Sequence, residues 1–172
     1  STMTDTVPSL PYRDTKAQGA ADFYFAINAT FRFIRRRFGA GALRRYWSDL
    51  GREYFAPVTG RWARGGLAAV ADYWRAFFAA EPGATIEVEE AEGCVELRVL
   101  RCPAIAHLRA AGREIEPDFC QHCYFIGEAM AAPAGLTVRV EGGGGSCTQR
   151  YLRRESAAGE QDLGVIQRIS PC

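Results

Sequence analysis

The stretch Thr85-Ile86-Glu87-Val88-Glu89-Glu90-Ala91-Glu92-Gly93-Cys94-Val95-Glu96-Leu97-Arg98-Val99-Leu100 decides the fold. Ile86 and Val88 alternate with Thr85, Glu87 and Glu89. Val95, Leu97 and Val99 then alternate with Glu96, Arg98 and Leu100, which is the two-residue period of a half-buried strand. Glu92-Gly93 supplies the turn between the two runs. The segment predicts a β-hairpin with one core face.

Upstream the period is helical. From Ala20 to Phe38 the residues Phe23, Ile27, Phe31 and Ile34 recur at helical spacing, and Phe38 closes the stripe before Gly39 and Gly41. This stripe is expected to face inward. A second helix is predicted from about Ala42 to Phe55, carrying Leu43, Tyr46, Trp47, Leu50 and Tyr54 and stopped by Pro57. A third, from about Gly60 to Ala80, presents Leu67, Val70, Ala71, Trp74 and Phe78 on one side and ends before Pro82-Gly83. Residues up to about Lys16, with Pro8 and Pro11, read as an irregular lead-in.

Downstream, Pro103 opens a short helix that runs to Ala111 and ends at Gly112. Asp118, after Pro117, is the predicted cap of a further helix to about Ala132. Leu136-Thr137-Val138-Arg139-Val140 alternates again, and Cys147 to Arg153 is its partner across a glycine turn. From Glu155 the chain is a tail, with Leu163, Val165, Ile166 and Ile169 packing back. The expected fold is α+β: N-terminal helices packed on an antiparallel sheet made of two hairpins separated by helices. A single domain is expected over 1–172, with the lead-in over 1–16, a helical half over 17–80, the half carrying the site over 84–154, and the tail over 155–172.

The composition of this 172-residue chain, 48% apolar and 24% charged, suits a globular domain burying roughly 70% of its unfolded surface. No apolar run approaches the ~18 residues of a membrane span, so no membrane partner is expected. A net charge of +1 argues against a general polyanion binder. The run Phe31-Arg32-Phe33-Ile34-Arg35-Arg36-Arg37-Phe38 with Arg44-Arg45 hints at nucleic acid, yet basic residues in a helix usually form its solvated face, and Glu87, Glu89 and Glu90 offset the field. No nucleic-acid partner is expected. Ser1-Thr2 ahead of Met3 resemble an expression scar, and no secretory signal is read in the leading residues. A cytoplasmic location follows, where clustered cysteines are more often ligands or catalysts than disulfides.

The groups able to do chemistry are Cys94, Cys102, His107, Cys120, His122, Cys123 and Cys147. Cys120 and Cys123 are three apart, so on a helix both sulfurs lie on one face. Cys147 opens the last strand, which can lie against that helix. Zinc prefers thiolate and imidazole, so Cys120, Cys123 and Cys147 leave one position for His107, His122, Cys102 or water. Free cysteine is also a common core residue, and Cys94 and Cys102 flank a strand where a small apolar side chain would serve. His122 points off the Cys120/Cys123 face and reads equally as a surface histidine. Cys120-Gln121-His122-Cys123 has the form of a redox motif, but no βαβ unit precedes it.

The order of motifs from Cys102-Pro103, through Phe119-Cys120, a helix containing Gly127 and an alternating strand, to Gly144-Gly145-Ser146-Cys147 and Arg150-Tyr151 resembles the L-2-amino-thiazoline-4-carboxylic acid hydrolase family. More distantly it is similar to the 4-vinyl reductase-type small-molecule-binding domains, whose fold is shared with TRAPP trafficking subunits. The resemblance implies a hydrolase that opens or desulfurises a small cyclic C–N or C–S compound, with Cys102, Cys120 and Cys147 at the family's cysteine positions. The related binding domains often hold zinc near these places. Where the hydrolase family commonly has an acidic residue three after the second cysteine, this chain has Cys123, which moves the expectation from a thiazoline toward a thiolate-rich metal site.

Cys147 or Cys120 is the expected nucleophile, or else zinc held by Cys120, Cys123, Cys147 and His122 activates a water. Glu128 and Glu141 are candidate proton carriers, although both also read as solvated helix or strand positions. Arg150 follows Cys147 on its strand and is expected to receive a substrate carboxylate. Tyr24 and Trp74 are candidates for an apolar substrate wall, or plain core. The alternative is a non-enzymatic sensory domain with structural zinc. Trp47, Trp62 and Trp74 near exposed helix faces suggest a homo-oligomer.

Overall fold

The computed structural model describes residues 20–170. The lead-in and Cys172 lie outside them. The helical half consists of α1 (Phe23–Asp49), a π-helical turn (Leu50–Tyr54) and α2 (Ala56–Ala79). β1 (Thr85–Ala91) and β2 (Cys94–Arg101) follow, then α3 (Pro103–Ala110), α4 (Gln121–Ala131), β3 (Leu136–Gly143) and β4 (Ser146–Arg153). This is the expected α+β arrangement, with both hairpins in place.

The four strands form one antiparallel sheet in the order β1-β2-β4-β3. The second strand of each hairpin therefore lies inside the sheet, and β2 pairs with β4 so that Val99 stands opposite Cys147 and Val95 opposite Tyr151. Alternation fills the inner face with Val95, Leu97, Val99, Val138, Val140 and Tyr151, all buried. The outer face carries charges instead: Arg98 pairs with Glu87 at 3.1 Å and Arg150 with Glu96 at 2.8 Å. β3 is an edge strand blunted by the tail, where the Gln161 carboxamide donates to the Val140 carbonyl at 2.9 Å and accepts from its N–H at 2.8 Å. Ile166 and Ile169 in the same tail are buried.

Two apolar clusters hold the layers together. Trp62, Val70, Ala71 and Met130 pack on the sheet, while Phe31, Leu43, Trp47, Ile105, Leu108 and Phe119 fill the space between α1, α3 and α4. Cys120 and Ile126 touch both clusters, so α4 is the seam of the molecule.

The helical half departs from its sequence reading in three ways. α1 does break at Gly39, where a φ of 88° is open to glycine at little cost, but α2 also breaks at Gly66 and begins earlier than expected, with Pro57 in its first turn. The predicted α1 stripe is only partly inward: Phe31 is 3% exposed, whereas Phe23 is 69% and Phe38 63% exposed. The reason lies in the buried side of α1, which carries polar groups matched to the segment before α4. Asn28 donates to the Glu114 carbonyl and accepts from the Glu116 N–H, both at 2.9 Å, and Arg35 meets Asp118 at 2.5 Å. Asp118 is accordingly not the helix cap. Its carboxylate is taken by Arg35 and Arg168, and Cys120 occupies the N-cap position of α4. The third departure concerns the tryptophans: Trp47 and Trp62 are wholly buried, so they offer no surface for a homo-oligomer.

Candidate thiol site

Three junctions of the fold meet at one small hollow. Cys102 is the N-cap residue of α3, Cys120 is that of α4, and Cys147 is the second residue of β4, just past the glycine turn. With Cys123 and His122 from the first turn of α4, these residues line a cavity of about 30 Å³ whose remaining wall is Ile105, Phe119, Val140 and the glycine turn. A hollow of this size holds a water or an ion and excludes an organic ring.

The glycine turn is what closes it. The Cys102 N–H donates to the Gly145 carbonyl at 2.7 Å, the Gln167 N–H to the Gly142 carbonyl at 2.8 Å, and Arg109 to the Gly144 carbonyl. A β-carbon on Gly143 would stand 3.2 Å from the Cys120 sulfur and 3.1 Å from the Gln167 carbonyl, so this position needs glycine to let the turn approach.

Two of the four sulfurs accept a hydrogen bond from an N–H group. The Gly144 N–H donates to Cys120 Sγ at 3.3 Å, and the carboxamide of Gln149 to Cys147 Sγ at 3.8 Å. Gln149 also acts on Cys123, and the amides of Ile105 and Ala104 at the start of α3 act on Cys102 without forming a full cap. Gln149 is buried and its orientation is set by the Tyr151 hydroxyl, which donates to its Oε1 at 3.3 Å.

Burial nevertheless dominates the titration. It pushes Cys120 and Cys123 up to about 12, with the Gly144 amide and the Gln149 carboxamide only partly opposing it. It drives Cys147 higher still and raises Cys102 as well. Without a cation these groups are neutral thiols at neutral pH. His122 is pushed down by burial and is neutral too. Its Nδ1 lies 2.5 Å from the Phe119 carbonyl, which can only accept, so Nδ1 carries the proton. Nε2 is then left with its lone pair 3.6 Å from Cys123 Sγ, an acceptor for the thiol hydrogen.

Thiolates and a neutral imidazole are the donors a soft cation takes, and N–H groups directed at sulfur favour the charged over the protonated form. The donor chemistry fits zinc. Among the described residues, however, no three cysteine, histidine or acidic side chains already converge as a formed metal-binding group.

The remaining candidates lie elsewhere. Arg150 is on the outer face of the sheet in an ion pair with Glu96, because three positions along a strand reverse the side. Glu128 accepts from Thr137 Oγ1 at 2.7 Å and the Val138 N–H at 3.0 Å and pairs with Arg154, on another face of α4. Trp74 packs in the aromatic cluster of α2 against Trp62 and Tyr151. Tyr24 donates to Glu81 beside the α1–α3 cluster and does not line the cavity. Glu141 lines a separate groove on the outer face of the sheet. His107 is held by Asp22 at 3.0 Å, and Cys94 stands at the far end of β2. Gln149 is the member of the site that the sequence did not single out. Its signal was parity, two residues after Cys147 on the same strand face.

No helix among the described residues is long and apolar enough to cross a membrane. Comparison of the chain with family models, with curated proteins and with solved structures found no match.

Proposed function

We propose that this chain is a cytoplasmic small-molecule-binding domain whose half-sheet and helices are tied together by a zinc–thiolate centre. One observation carries the reading: four cysteines from α3, α4 and β4 surround an ion-sized apolar hollow, and two of them, Cys120 and Cys147, accept a hydrogen bond from an N–H group. Cys102, Cys120, Cys123 and Cys147 would hold the ion, with His122 Nε2 as the competing donor. Zinc bound there would supply the positive charge that converts buried thiols into thiolates. Gln149 and Gly144 hold hydrogens toward sulfur, the apolar wall excludes water, and the turn at Gly143 presses on Cys120. The sensory form of the motif resemblance agrees with a closed, four-ligand site.

The hydrolase reading keeps one observation in its favour, the Cys123 thiol beside an imidazole lone pair. A cavity of about 30 Å³ and the remoteness of Glu128 and Arg150 weigh against it. Elemental analysis of protein purified under reducing conditions decides between them. One zinc per chain, lost together with thermal stability on chelation and in the Cys120→Ser/Cys123→Ser variant, is expected. Metal-free protein whose melting temperature ignores both added zinc and chelator, and which releases ammonia or sulfide from a cyclic thiourea or thiazoline, overturns the proposal.

A further inference from the structure

A second hollow of about 570 Å³ lies against another face of α4, between that helix, β3 and the segment that follows β4. Small organic ligands occupy clefts of about 300 to 1,000 Å³. The thiol cavity is too small for such a molecule, and this cleft is large enough.

Its guanidinium groups are unequal. Arg154 is committed to Glu128 at 2.5 Å and to the Leu136 carbonyl at 3.1 Å. Arg139 is held by neutral oxygens alone: Thr137 Oγ1 at 2.8 Å, the Val138 carbonyl at 3.0 Å and the Gly159 carbonyl. Arg44 makes one long hydrogen bond, 3.3 Å to Gln121 Oε1, and stands 5.7 Å from the centre of the Phe125 ring. Among the described residues neither Arg139 nor Arg44 forms a salt bridge, although each lines the same cleft. A guanidinium fixed in place by neutral acceptors keeps its charge for a carboxylate, at low ordering cost.

The apolar side of the cleft is aromatic. Phe125 stacks on Trp47 at 6.0 Å between ring centres, and Tyr124 meets Phe125 nearly edge-on at 5.1 Å. Glu160 also lines the cleft, so three guanidiniums face two carboxylates, Glu128 and Glu160, leaving one net positive charge. That balance suits a monoanion.

We infer that this cleft binds a small planar aromatic monocarboxylate, with Arg139 and Arg44 taking the carboxylate and Phe125 and Tyr124 taking the ring. The inference rests on the small-molecule-binding reading and names its ligand class. Because α4 carries both Cys120 and Phe125, metal content and ligand binding are measured on the same samples.

Benzoate titrated into the whole chain by calorimetry is the test, with benzyl alcohol as the neutral analogue and cyclohexanecarboxylate as the non-aromatic anion. Saturable one-to-one binding of benzoate is expected, at least about tenfold tighter than either control. Arg44→Met weakens it by about tenfold. Glu160→Gln, on an exposed side chain, tightens it at low salt, a gain that damaged folding cannot imitate. Absence of saturable benzoate binding at millimolar concentration, equal affinity for benzyl alcohol, or an unchanged affinity in both variants overturns the inference. Benzoate binding by protein that carries no zinc and whose melting temperature ignores added zinc sinks the metal centre and leaves the cleft standing, whereas zinc-loaded protein that ignores benzoate sinks the cleft alone.

Discussion

Raising the pH of the metal-free protein from about 8 to about 10 should remove roughly 3 kcal/mol of folding stability through two thiols alone. Cys120 and Cys123 are each pushed by burial from 9.0 up to about 12. A group whose folded pKa exceeds its unfolded one keeps its full stabilising contribution below the unfolded value and loses it as the pH climbs toward the folded one. The window here is pH 9 to about 12. At about pH 10 the unfolded thiol is mostly ionised and the folded one is not, which costs about 1.4 kcal/mol per group. Cys147 and Cys102 move in the same direction and can only deepen the loss. Against a typical total of about 5 to 15 kcal/mol the change is large. Urea unfolding followed by tryptophan fluorescence, in chelator and reductant at several pH values, measures it. The raised phenols of Tyr24 and Tyr73 add their own alkaline slope, so the Cys120→Ala/Cys123→Ala variant serves as the reference and should be flatter. With zinc bound the sulfurs are already deprotonated, and the loss moves to the acid side as protons displace the metal. A metal-free protein equally stable at both pH values, or a variant with an undiminished slope, refutes the reasoning that burial governs these thiols.

The same raised values predict that native Cys120 and Cys123 react with iodoacetamide about a thousandfold more slowly than in urea near neutral pH; equal rates, read by mass spectrometry, contradict a dry cavity. Gly51→Ala should cost about 3 kcal/mol or abolish folding, because its β-carbon would stand 2.6 Å from both Ala129 Cβ and the Ile126 carbonyl where the π-helical turn crosses α4; an unchanged melting temperature refutes that close approach. Gly143→Ala should cost about 1 to 3 kcal/mol, since φ is 140° and the new methyl meets the Cys120 sulfur, and zinc binding should weaken with it; a neutral substitution denies that the turn closes the cavity. Trp62→Ala, at a fully buried position packed on Tyr151, should lose about 3 to 5 kcal/mol in chemical denaturation, and a loss under 1 kcal/mol shows that α2 does not hold the sheet.

The hairpins were legible because apolar and polar residues alternate in β2 and in residues 136–140 of β3, and their apolar sides are buried. The inward face of α1 was not. Its side chains are apolar on more than one side, and the buried side is chosen by Asn28 and Arg35 meeting Glu114, Glu116 and Asp118, residues more than eighty positions away. Arg150 was misread although parity alone places it opposite Cys147, while Glu128 required knowing that α4 turns one face to the thiols and another to β3.

By itself the sequence determined the order of helices and strands, the two-hairpin sheet, and the gathering of the reactive groups into the second half, since side-chain period and turn residues act over a few positions. Which thiols meet was decided by tertiary structure. Pairing of β2 with β4 sets the glycine turn beside the start of α3, where the Cys102 amide holds Gly145, and docking of α4 on both clusters carries Cys120 and Cys123 to the same point. These contacts join residues from about twenty to more than eighty positions apart, and what selects them is the burial of two apolar clusters at once, a condition that no local pattern encodes.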